Sequence, residues 1–221
     1  MLRIFVEGRD DKNFVKSYIR HLFFDGFFVE RENDAVTEGI VALKNKTTLI
    51  EIVNSGGWQS LSRLQNKFRE TIDFHGKNFV IFDADYTTNG GGYPKRKEQL
   101  EKLKSVLDIE FDLFLIPNNL DDGDLEVLLE TITNPEHGHI FECFQKYEKC
   151  LERIKDSDGK NKYELPLRKS KIDAYLEAFC KNKKQRKLLK NGERFLNNPE
   201  YWNLNNDILS PLKNFFEAYL K

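Results

Sequence analysis

Carboxylates gather at three places in this chain, each just past a strand-like apolar run. Glu7, Asp10 and Asp11 follow IFV in "IFVEGRDD", Asp83 and Asp85 follow FVIF in "FVIFDADYT", and Asp121, Asp122, Asp124 and Glu126 follow FLI in "FLIPNNLDDGDLE". If the strands are parallel, their carboxyl ends open on one crevice, and Glu7 faces Asp83 and Asp85 despite their separation in sequence. Carboxylates brought that close cannot all stay ionised without a compensating cation, and hard oxygen ligands suit Mg²⁺ or Mn²⁺. Helix capping accounts for part of the pattern. Asp10 and Asp11 suit a helix N-terminus, and Asp121 to Asp124 could cap a helix that buries Leu125, Leu128 and Leu129. Capping leaves Glu7 unexplained.

The elements that would position these acids are readable as alternating patterns. Residues 2–6, 47–53, 78–82 and 111–116 are short apolar runs of the kind buried on both faces of a parallel sheet. Between them, helical stripes place Phe14, Val15, Tyr18, Ile19 and Leu22 on one face of 10–22. Trp58, Leu61, Leu64, Phe68 and Ile72 do the same over 58–72, and Leu100, Leu103 and Leu107 over 94–107. The pattern predicts an α/β fold with right-handed crossovers: a mainly parallel four-stranded sheet flanked by helices. After Pro135 only helical spacing remains, with Ile140, Phe144, Tyr147, Leu151 and Ile154 on one face. Further helices are expected over 168–181, 184–196 and 207–220, the last docking on the sheet or on the other helices. This gives an α/β core over 1–135 and a C-terminal helical extension over 136–221, packed on or beside it.

The 221 residues suffice for one sizeable core plus an appended piece. Three cysteines without C-x-x-C spacing argue against a disulfide framework or a zinc site. With no membrane-length apolar run and no basic, apolar leader ahead of LRIFV, the expected location is the cytoplasm, with no membrane partner. The net charge of −1 conceals an asymmetry: residues 1–148 carry 18 basic and 26 acidic side chains, and residues 149–194 carry 15 and 7. Lys181, Lys183, Lys184 and Lys187 stand in the basic segment, which would attract a polyanion such as nucleic acid; a solvated helix face is the competing reading.

Together, Glu7-Gly8 after the first strand, Asp83-x-Asp85 after a later one, and the run Gly123-Asp124-Leu125-Glu126 resemble a Toprim domain, the fold shared by topoisomerases, primases and the overcoming-lysogenization-defect nucleases. The likeness spans about residues 1–135 and is strongest to those nucleases and to small stand-alone relatives without an assigned function. Glu7 and Asp11 match their acidic pair four residues apart, Asp83, Asp85 and Thr87 their D-x-D-x-hydroxyl motif, Glu126 their later glutamate, and Lys171 a lysine beyond the core. Their ATPase portion has no counterpart, since no G-x-x-x-x-G-K-[ST] loop occurs. Any control by ATP would come from a separate protein.

The resemblance implies metal-dependent phosphodiester chemistry on nucleic acid, DNA ahead of RNA. It casts Glu7, Asp11, Asp83, Asp85 and Glu126 as ligands for Mg²⁺ or Mn²⁺, and Glu7, Asp83 and Lys171 as catalytic. Gly8, Thr87 and Asp124 support them, while Lys181, Lys183, Lys184 and Lys187 hold the polyanion. Two other readings share the same residues. One is a nucleic-acid- or nucleotide-binding Toprim module without catalysis. The other is a haloacid dehalogenase-type phosphatase with Asp83 as nucleophile and Asp85 as acid/base, which would leave Glu7 and Asp11 without a role.

Overall fold

A computed structural model describes residues 1–23, 28–32, 40–44 and 49–220. The expected start of the second strand, at residues 47 and 48, lies outside the described residues. Two compact units divide the chain, one made of Met1–Leu128 with Leu204–Lys221 and the other of Leu129–Asn203. The sequence pattern suggested a single boundary near residue 135. The last stretch of chain instead clusters with the sheet.

In the first unit, β1 (Leu2–Val6), β4 (Leu49–Asn54), β5 (Lys77–Asp83) and β6 (Asp112–Ile116) form the parallel sheet in the order β4-β1-β5-β6. The expected α/β architecture with four parallel strands is therefore present. Two strands not expected from sequence, β2 (Phe28–Glu32) and β3 (Ile40–Lys44), extend the sheet antiparallel beyond β4. FVERE is broken by charge, whereas IVALK holds four consecutive apolar residues that read equally as a strand.

Both faces of the central strands are covered, which is why they read as unbroken apolar runs. Phe5, Val80, Phe82 and Leu115 pack with Phe68 of α2 (Gln65–Asp73) and Leu100 of α3 (Tyr93–Leu107). Phe5 stacks on Phe68 with ring centroids 3.8 Å apart. On the opposite face, Phe79 meets Phe215 and Tyr219 of α8 (Ser210–Leu220), at centroid distances of 4.4 and 4.7 Å. Phe216 of the same helix lies 6.4 Å from Tyr18 of α1 (Arg9–Leu22).

The helix expected over 58–72 begins as a 3₁₀ turn over Trp58–Leu64 and becomes α-helical only from Gln65. Trp58, Leu61 and Leu64 recur every three residues, the period of a 3₁₀ helix, and only the step to Phe68 is four.

The second unit is helical: α5 (Gly138–Glu152), α6 (Arg168–Glu177) and α7 (Lys183–Lys190), with α4 (Leu125–Thr131) crossing the division between the units. On α5 the buried residue is Phe141, while Tyr147 of the expected stripe and Ile154 beyond the helix are exposed. Helix α7 stops at Lys190 instead of continuing to 196, because Asn191 caps it and Gly192 turns the chain at φ +86°. No helix among the described residues is long and apolar enough to cross a membrane.

Candidate functional site

The acids stand where parallel strands end. Glu7 follows β1, and its carbonyl accepts from the Gly56 N–H at 3.0 Å while that of Val6 accepts from Ser55 at 2.9 Å, so the Ser55-Gly56-Gly57 turn continues beside the strand end. Gly56 and Gly57 have φ of +74° and +100°, and a Cβ on Gly57 would stand 3.6 Å from Glu7 Oε1. The turn thus passes beside the carboxylate, and its positive φ values are what favour glycine there. Asp83 ends β5 next door, and its backbone N–H donates to the Glu7 carboxylate. Two residues on, Asp85 exchanges a pair of hydrogen bonds with Gly123, at 2.7 and 2.9 Å, strapping the 121–124 loop to the end of β5. Asp124 caps α4 by accepting from the Val127 N–H at 3.0 Å, so Glu126 falls in the first turn of that helix. In α1, Asp11 folds back to accept from the Gly8 N–H at 2.8 Å.

Electrostatics link these groups to one another. Burial raises Asp83 well above the carboxylate range, and the charges of Asp11, Glu7, Glu126 and Asp124 push it further in that order. Burial carries Asp11 up to about 7, opposed by the Gly8 N–H and reinforced by Glu7 and Glu126. Glu7 is raised by burial and then by Asp85, with Arg96 and the Asp83 N–H opposing. Asp11 Oδ1 and Asp83 Oδ1 are both buried with no hydrogen-bond partner. A buried carboxylate oxygen without a donor must be protonated or face a cation.

The residues fit a hard divalent cation in donor chemistry: oxygen ligands only, two of them unsatisfied, with net negative charge. They do not form a closed cage, since among the described residues no three His, Cys, Asp or Glu side chains stand ready to hold a metal ion. To hold the ion, Glu7, Asp11, Asp83 and Glu126 would have to draw closer around it.

Other expected site residues are placed differently. The Asp85 carboxylate forms an ion pair with Arg96, a buried guanidinium that also lies 5.6 Å over the Trp58 ring. Gly8 is the N-cap of α1, and Thr87 is exposed in a short 3₁₀ turn. Lys171 belongs to the helical unit, where it pairs with Glu130 and sits 5.5 Å over the Phe141 ring. Lys181, Lys183, Lys184 and Lys187 are exposed, on or just before α7. Arg96 is the residue whose part in the site the sequence pattern did not bring out. Its signal was position: Arg96, Leu100, Leu103 and Leu107 step by four, three and four, so the arginine continues the apolar stripe of α3.

Fold and site together define an α/β protein with a buried acidic centre at the carboxyl ends of its parallel strands. The chain belongs to the family described as "Protein of unknown function (DUF3226)", which matches residues 2–221. Among solved structures it is similar to hypothetical protein PH0156 from Pyrococcus horikoshii OT3. The two share 14% identity and a TM-score of 0.59, over 97% of this chain and 98% of that one, a likeness of fold. No curated protein matches the chain.

Proposed function

We propose that this protein is a divalent-metal-dependent nuclease of the Toprim kind, cutting phosphodiester bonds in nucleic acid. The observation that carries this reading is the pair of orphaned, buried oxygens on Asp11 and Asp83, among carboxylates from β1, α1, β5 and α4. Mg²⁺ or Mn²⁺ bound there would supply Lewis-acid polarisation of a scissile phosphate and offset the carboxylate charge. Glu7, with its raised proton affinity, is suited to take or return a proton at its carboxylate. Arg96 neutralises Asp85 at the margin of the site.

That pairing favours a second reading, in which the acids bind a structural cation and the chain holds nucleic acid without cutting it. Incubation of a supercoiled plasmid and a labelled single strand with Mn²⁺ separates the two. A nuclease cleaves at least one of them, and Asp83→Asn, with an unchanged circular dichroism spectrum, reduces the rate at least a hundredfold. Wild-type activity in that variant removes the acidic site from the chemistry; a folded, Mn²⁺-binding wild type that cuts neither substrate leaves the binding module.

A further inference from the structure

The helical unit contains two pockets that no part of the acidic site uses. One, of about 470 Å³, is lined by Phe179, Phe195, Tyr201, Gln185 and Cys180. The other, of about 380 Å³, is lined by Lys169, Arg186, Lys190 and Arg194 with the acids Asp173 and Glu177. They adjoin across a thin strip of chain. Gly192 and Arg194 line the charged pocket and Glu193 and Phe195 the aromatic one, and on α7 Gln185 lines one and its neighbour Arg186 the other.

We propose that the two pockets together bind one nucleotide of a single-stranded nucleic acid, the base in the aromatic pocket and the phosphate in the basic one. The choice of occupant rests on the nucleic-acid reading of the protein given above. Tyr201 and Phe179 stack at 4.7 Å, Phe195 stands edge-on to Tyr201, and the Asn198 side chain bonds the Tyr201 phenol, so the aromatic wall is fixed before anything binds. Gln185 has its amide oxygen held by the Lys181 N–H at 2.9 Å, which orients the amide and leaves its NH₂ as the donor for a base acceptor. Phe195 sits at φ +50°, a conformation that a bulky side chain rarely adopts. Glu193 is the acid of this pocket, tied to the backbone through the Phe195 N–H.

In the second pocket Asp173 is paired with Arg194, and four cations face two acids, the balance that suits a phosphate. A concave pocket admits a base only when it is unstacked, which selects a single strand over a duplex. Exposed Lys181, Lys183, Lys184 and Lys187 extend the positive charge beyond what a lone nucleotide requires.

The test is fluorescence anisotropy in EDTA with a labelled 12-residue oligothymidylate, its duplex with oligoadenylate, and unlabelled thymidine monophosphate as competitor. The strand should bind more tightly than the duplex, and millimolar monophosphate should not displace it. Phe195→Gly, which suits the positive φ and so keeps the fold, should weaken strand binding about tenfold, within the range for removing one stacking partner. Arg186→Gln, at an exposed position, should reduce the log–log salt slope by about 0.7. Equal binding of duplex and strand, displacement by micromolar monophosphate, or wild-type affinity and salt slope in both variants would overturn the proposal. Metal-dependent cleavage that persists alongside any of those results leaves the nuclease reading standing. Variant-sensitive binding with no cleavage by the wild type overturns the nuclease reading and supports this site.

Discussion

Among the described residues, Asp11 and Asp83 each bury a carboxylate oxygen that no donor satisfies, a sharp energetic problem for two groups of like charge. Their raised proton affinities set the sign of a pH effect. Asp11 takes up its proton at about 7, whereas the unfolded chain releases it near the ordinary aspartate value of about 4. Over that interval the folded state holds more protons than the unfolded one, so stability is greatest on the acid side and falls as pH rises through the interval. Asp83, shifted the same way, adds to the loss. Thermal unfolding in EDTA should therefore show Tm decreasing from pH 5 to pH 8, and Mn²⁺ should flatten the profile by replacing the proton. Asp83→Asn removes one ionisable member and should raise Tm at pH 8 in EDTA by about 2–4 °C, the shift that ~1 kcal/mol gives a chain of this length. A pH-independent Tm in EDTA would mean that the acids do not crowd one another.

At the scale of elements, the site depends on strand ends held in register. Leu2 to Val6 of β1 pair with Lys77 to Ile81 of β5, so the chain leaves both strands at nearly the same level, with Glu7 one residue and Asp83 two residues beyond the last pair. The last helix supports this register from one side of the sheet: Phe216 is fully buried, 6.4 Å from both Phe79 and Tyr18. Phe216→Ala should cost about 3–5 kcal/mol, read from urea denaturation, because it opens a cavity against a rigid sheet. A loss below about 1 kcal/mol would show that α8 is dispensable to the sheet. The stripe of Leu209, just ahead of α8, with Leu212, Phe215, Phe216 and Tyr219 on it was legible as an apolar face. Its destination was not, since the same face would serve equally well against other helices.

For the whole molecule, charge divides along the boundary between the units. The sheet unit carries 19 basic and 24 acidic side chains, and the helical unit carries 16 and 12. An acidic centre repels the polyanion it is proposed to cut, so affinity must come from the basic unit. Replacing Lys181, Lys183, Lys184 and Lys187 together with glutamine should weaken nucleic-acid binding and flatten its salt dependence, by about 0.7–0.9 in the log–log slope for each phosphate that is no longer neutralised. All four are exposed, so the fold should be unaffected. An unchanged slope would return them to the role of a solvated helix face.

Local pattern alone determined much of this protein. The four parallel strands, the stripes of α1 and α3, and acids following β1, β5 and β6 were all visible, because burial on both faces and helical periodicity are written in neighbouring residues. Tertiary structure decided what depends on residues far apart. It added β2 and β3, whose antiparallel pairing with each other and with β4 joins segments that local pattern does not link. It returned residues 204–221 to the sheet. It committed Asp85 to Arg96, which no spacing rule links, and it left Asp11 and Asp83 with unsatisfied oxygens, a matter of desolvation that depends on everything packed around them. In the helical unit it set an aromatic and a basic pocket on either side of the segment 192–195, where the sequence pattern carried the basic helix on to 196. Periodicity tells a residue which way to face, and only the packed chain determines what it meets there.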